Sequence, residues 1–223
     1  MILFARVDDL WRDRIISGLA FLMAVQLFVI VPLGATATGI MPLSIASVLL
    51  ILAGLLVLSR SLLPAICLLT ALLLIASAQI LHFRGANLSL DASLEASGWL
   101  ILGSMLAWVV ARAVFAPGRI TFHRVIGAIL LYLAIGLVFV ALFTLVGALV
   151  PGAFSNLSIH DRVSLPSDLV YFSFSTLTTV GYGDIVPMHP FARSLTNLEA
   201  IFGQLYPATL LARLVSLQLE WKA

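Results

Sequence analysis

The 223-residue chain is poor in charge and almost without cysteine. Charged residues make up 10%, against roughly 25% in soluble domains. Its one thiol, Cys67, excludes a disulfide-stapled fold and, lying in an apolar run, is expected to be buried. No acid occurs between Asp13 and Asp91. The four histidines, His82, His123, His160 and His189, lack metal-ligand spacing; His160 and His189, which flank the outer side of the segment between the last two spans described below, are candidates for a pH response. A surplus of two positive charges gives no footprint for nucleic acid. Ser173 and Ser175 have no base placed to activate them, so no enzyme is expected. What the chain has is apolar residues, 62% of the total, at a mean hydropathy of +1.16. A soluble globule of this size could not hide that surface, so the class is an integral membrane protein.

A spanning helix needs about 20 mostly apolar residues. Six stretches qualify: Ile15–Leu33, Pro42–Ser59, Leu62–Leu81, Gly98–Phe115, Val125–Val150 and Phe191–Leu211. Gly34 to Gly39 reads as a small-residue turn, and Arg60-Ser61 with Pro64 as a tight hairpin. The first run is too long for a cleaved signal segment, whose apolar core is about 7–15 residues. Lys and Arg partition unequally between the two sides. Arg6, Arg12, Arg14, Arg60, Arg112, Arg119, Arg124, Arg213 and Lys222 fall on one, Arg84, Arg162 and Arg193 on the other. The positive-inside rule then puts both termini in the cytoplasm of a multi-pass protein of the plasma or inner membrane. Asp91, Glu95, Asp161, Asp168 and Asp184 make the outer side acidic; for Asp91 and Glu95 the preferred reading is ordinary loop solubility.

Between the last two spans lies Ser164-Leu165-Pro166-Ser167-Asp168, followed by an apolar run of about a dozen residues up to Gly181. It opens with helix-start chemistry: Ser164 or Ser167 as cap, Pro166 and Asp168 in the first turn. The run is too short to span, so it predicts a re-entrant helix and a return strand. Irregular backbone at membrane depth persists only where protein buries it or a water-filled pore solvates it. A helix ending in Thr178-Thr179-Val180-Gly181-Tyr182-Gly183-Asp184 has free carbonyls, and a dehydrated cation is one partner for them.

This heptapeptide resembles the signature of potassium channels, and Val125 to Leu217 is similar to the bacterial two-helix pore members of that family, here behind four additional helices. The resemblance implies an all-α membrane protein: six transmembrane helices plus a re-entrant pore helix and filter loop, assembled as a homotetramer in the lipid bilayer. Residues 1–120 would form a collar and 121–223 the pore domain. Carbonyls of Thr179, Val180, Gly181 and Tyr182, with the Thr179 hydroxyl, would bind K+ in stacked rings. Permeant potassium would be the only bound species, with no cofactor. Successive carbonyls point inward only if the backbone alternates hand, which Gly181 and Gly183 permit.

Filter support is assigned to Thr178, Asp184, Tyr171, Ser175 and Glu199. Where much of the family has two tryptophans this chain has Tyr171 and Phe172, and Tyr171 would donate to Asp184 or anchor at the interface. Ser175 stands where some relatives carry a glutamate, so an acid pair with Asp184 is absent. Glu199, an acid at membrane depth, would either face the cavity or brace the filter through Thr176 or Ser175. The brace is preferred for its height on the helix. Gly203 and Pro207 are candidate gating hinges, with close packing the other reading of Gly203. The fourth span carries only Arg112, so a voltage sensor is not expected. The function read here is passive, weakly or non-voltage-gated potassium conduction. The alternatives are a transporter-like protein and a non-conducting subunit.

Overall fold

The computed structural model describes residues 15–36, 49, 62–84, 88–115, 122–159, 161 and 163–220, without the side chains of 88 and 214–220. In chain order, the helices are α1 (Ile15–Thr36), α2 (Leu62–Phe83), α3 (Leu88–Val114), α4 (Phe122–Leu149), α5 (Leu165–Leu177) and α6 (Pro190–Glu220). Two short strands, β1 (Phe154–Ser155) and β2 (Val186–Pro187), pair antiparallel on either side of α5 in sequence. Four helices, α1 to α4, contain windows apolar and long enough to cross a membrane. The expected span Pro42–Ser59, the Arg60-Ser61 part of the hairpin and His160 fall outside the described residues.

Two boundaries differ from expectation. Helix α1 runs through Gly34 to Thr36, so these residues of the predicted turn are helical and the rest of it lies outside the described residues; a π-helical turn spans Gln26–Ile30. Helix α3 starts at Leu88, ten residues before the expected apolar span. The span criterion found the apolar window, whereas Ala92, Glu95 and Ala96 are helix formers that extend the helix outward. Asp91 is therefore not a solubilising loop residue. It is fully buried, with Oδ2 3.1 Å from His82 Nδ1 at the end of α2 and Oδ1 accepting from the Ala92 N–H.

Helices α3 and α4 pack along most of their length, and α2 lies on the far side of α3. Met105, Leu106, Val110 and Val114 meet Ala128, Leu130, Leu131 and Ala134, with Leu19, Met23 and Leu27 of α1 closing the same cluster. In lipid this burial is not driven by escape from water; close van der Waals fit holds the helices together. A second cluster attaches α5 to α4. Phe172 sits edge-to-face with Phe143 at 5.0 Å and Phe154 at 5.5 Å, pairs that contribute about 0.5–1.5 kcal/mol each beyond burial. Helix α1 also reaches α5, where Phe28 meets Phe174 at 5.2 Å.

Candidate functional site

Helix α5 has 13 residues, about 20 Å at 1.5 Å per residue, and cannot cross a bilayer core of about 30 Å. Its start is organised differently from the reading above. Ser164 occupies the cap position, but neither it nor Ser167 caps a helix N–H through its side chain. Ser164 Oγ instead donates to Asp161 Oδ2 at 3.0 Å, while Asp161 Oδ1 accepts the N–H groups of Val163 and Ser164. The Ser164 N–H, then its hydroxyl, hold the Asp161 carboxyl below the ordinary aspartate range.

The chain leaves α5 at Thr178 and alternates hand. Thr179 has φ +60°, Gly181 +56° and Gly183 +80°, while Val180 and Tyr182 between them are not left-handed. This alternation turns successive carbonyls the same way. Glycine adopts the left-handed region at little cost, but a β-branched threonine does so rarely. The turn is fixed by α5 itself: Ser175 C=O accepts from Val180 N–H at 2.8 Å and Gly181 N–H at 3.1 Å, and Thr176 C=O from Thr179 N–H at 2.8 Å. Ser175 thus supports the segment through its backbone, its hydroxyl donating locally to Phe172 C=O. The Thr178 hydroxyl likewise donates back to Phe174 C=O.

At the outer end Tyr171 stacks on Tyr182, centroids 5.6 Å apart and planes at 15°. The Asp184 carboxyl is held below its usual range, first by the Tyr171 hydroxyl beside it. The return strand is tied to the loop after α4, where Asn156 Nδ2 donates to Asp184 C=O at 2.9 Å and Met188 N–H to Ala153 C=O at 2.8 Å. The sequence offered no signal for this two-stranded clamp.

A depressed carboxylate pKa stabilises the fold above the ordinary aspartate range, and that stability is lost as pH falls through the lower, folded value. Acidifying below the ordinary aspartate range is therefore expected to release Asp184. Tyr171→Phe removes the main cause of the depression and should move the loss to higher pH. Thermal unfolding against pH checks this; superimposable profiles for both proteins would contradict it.

Behind the filter segment, Glu199 of α6 is fully buried within the single chain, which sets aside the cavity-facing reading. Its partner is not Thr176 or Ser175 but Ser173: Ser173 Oγ lies 2.5 Å from Glu199 Oε1 and 3.0 Å from Gly136 C=O of α4. One hydroxyl proton cannot serve two acceptors. The count closes when the carboxyl donates to Ser173 and Ser173 donates to Gly136. Glu199 Oε2 has no partner. The three residues join α4, α5 and α6.

Ser173→Ala is expected to lower the melting temperature of the assembled protein, because it strands a buried carboxyl at about 1–3 kcal/mol or more. Glu199→Gln, whose amide can donate in the same place, should lower it less. Ser173→Ala with Glu199→Leu should recover part of the loss, since both partners are then apolar. Thermal unfolding in detergent reads all three; equal, additive losses would show that the pair carries no coupling.

Gly203 is buried at the closest approach of α6 to α5: a Cβ there would lie 1.8 Å from Leu177 C=O. Leu177 C=O also accepts from the Tyr132 hydroxyl at 3.2 Å, and Tyr206 donates to Ala128 C=O at 2.7 Å. Pro207 lies inside α6. Gln204, which sequence reasoning passed over, places Nε2 3.0 Å from Thr179 Oγ1. At the far end Arg213 donates to Phe115 C=O and stacks over its ring at 4.7 Å.

Residues 128–219 match the ion channel family. The match covers less than half of the 223 residues. It runs from within α4 through α5 and the alternating segment into α6. Two curated relatives align with part of the chain. Protein LctB of Bacillus caldotenax is 40% identical over 60 residues, 27% of this chain and 44% of that protein. The inward rectifier potassium channel Kirbac3.1 of Paramagnetospirillum magnetotacticum is 44% identical over 39 residues, 18% of this chain and 13% of that protein. The chain thus spans less than half the length of either. No solved structure matches it significantly.

Proposed function

We propose that this chain is one subunit of a homotetrameric, potassium-selective channel that conducts K+ passively across the plasma or inner membrane. The observation that carries the reading is the alternation of hand at Thr179, Gly181 and Gly183 within Thr-Thr-Val-Gly-Tyr-Gly-Asp. A row of carbonyls facing one way replaces a hydration shell only when four copies close a ring. The C-terminal, negative end of α5 faces the base of the row and would favour a cation there. K+ would be held by Thr179, Val180, Gly181 and Tyr182, with Thr178, Asp184, Tyr171, Ser175 and Glu199 supporting them. Gly203 and Pro207 are the candidate bends of the inner helix. Both termini would be cytoplasmic. Helix α6 falls outside the four apolar spans, as suits a helix with one face towards water.

The front helices act as a collar. Arg112 is the one charge on the inner half of α3, and each elementary charge crossing the membrane field is worth about 2.3 kcal/mol per 100 mV. Steep voltage gating is therefore not expected. The test is ion flux into liposomes holding the purified chain. Potassium should enter under a gradient and sodium should not, with little dependence on voltage. A tetramer that passes neither ion would favour a non-conducting subunit.

A further inference from the structure

Gln204 follows Gly203, and the missing Cβ of Gly203 is what lets α6 lie against the Leu177 carbonyl. That approach sets the Gln204 carboxamide under the filter segment, where Nε2 is 3.0 Å from Thr179 Oγ1. Both side chains are exposed in the single chain and line one open pocket with Ala200, Ile201 and Leu205. Thr179 is also the one left-handed β-branched residue among those described, a conformation that persists only when its surroundings hold it.

We propose that Gln204 is a positioning residue for the innermost cation site, acting through the Thr179 hydroxyl; this rests on the potassium-channel reading above. A threonine oxygen has two lone pairs and one proton. In this geometry one lone pair accepts the Gln204 N–H, so each hydroxyl offers a single lone pair to an ion. Four amide N–H dipoles then stand with their positive ends beside the site. Both effects weaken the binding of a cation there, and a divalent cation suffers twice the electrostatic penalty of a monovalent one. Gln204 thereby keeps the inner end of the filter open to potassium and disfavours divalent occupants.

The probe is barium applied from the cytoplasmic side of the reconstituted full chain, a divalent cation close to potassium in size. Gln204→Met preserves length and removes the donor; it should tighten barium block by about three- to tenfold, the range one hydrogen bond supplies. Gln204→Glu can only accept, so the hydroxyl turns its proton away from the ion and block tightens further. In a Thr179→Val background, Gln204→Met should leave block unchanged, whereas with Thr179→Ser it should tighten block as in the wild type. For a variant that carries no current, the shift that barium gives to tetramer melting reads the same order. Equal barium affinity in wild type, Gln204→Met and Gln204→Glu would overturn the proposal while leaving the channel reading intact. A wild-type chain that does not select potassium would overturn the channel reading instead.

Discussion

Gly181→Ala is expected to abolish potassium-selective flux. Gly181 has φ +56° and nothing within 4 Å of the place a Cβ would take in its own chain, so the effect comes from backbone conformation and not from a clash. Holding an L-residue in the left-handed region costs roughly 1–2 kcal/mol, and a tetramer would meet it at four positions in one ring. The N–H of this residue bonds Ser175 C=O at 3.1 Å, so relaxation to a right-handed conformation would also turn the neighbouring carbonyl out of line. The expected variant assembles but has lost ion discrimination. Selectivity measured on Gly181→Ala tetramers checks it, and a variant with wild-type selectivity and conductance would defeat the assignment of the filter.

The second large effect is expected at Gly203. A Cβ would sit 1.8 Å from Leu177 O and 2.7 Å from Leu177 C, and both atoms are backbone at the end of α5, one step before the filter segment. Neither can swing aside as a side-chain tip would, so α6 must move away. Forcing a methyl into a packed contact costs about 1–3 kcal/mol, sometimes more. The same displacement would separate Ser173 from Glu199 and withdraw Gln204 from Thr179. Gly203→Ala should therefore lower tetramer stability and impair conduction together. A residue serving only as a hinge would behave otherwise, because alanine alters gating while leaving melting unchanged. Tetramer melting against open probability separates the two roles.

The pore reading rests on a local signal. Seven consecutive residues carry the filter pattern, and the preceding helix start, proline and short apolar run lie within twenty residues of it. The contacts that hold the pore together are not local. Ser173 and Glu199 are 26 residues apart, Asn156 and Asp184 are 28 apart, and Gly136 enters from a third helix. Its height on the helix pointed Glu199 to Thr176 or Ser175; the partner, Ser173, lies less than one turn away and was missed. Asp91 was misread because a hydropathy window finds where apolar residues begin, not where the helix does; only packing against α2 shows that this acid is enclosed beside His82. Gln204 carries no motif of its own and becomes visible only once Gly203 has brought α6 against α5.

The measurement that bears most directly on the account is the reversal potential of purified tetramers in a planar bilayer, with potassium on one side and sodium on the other. The account predicts discrete unitary currents that reverse far towards the potassium equilibrium potential. Currents that reverse near zero would contradict it, because a ring of carbonyls fixed by Thr179, Gly181 and Gly183 would then be present without discriminating between the two ions.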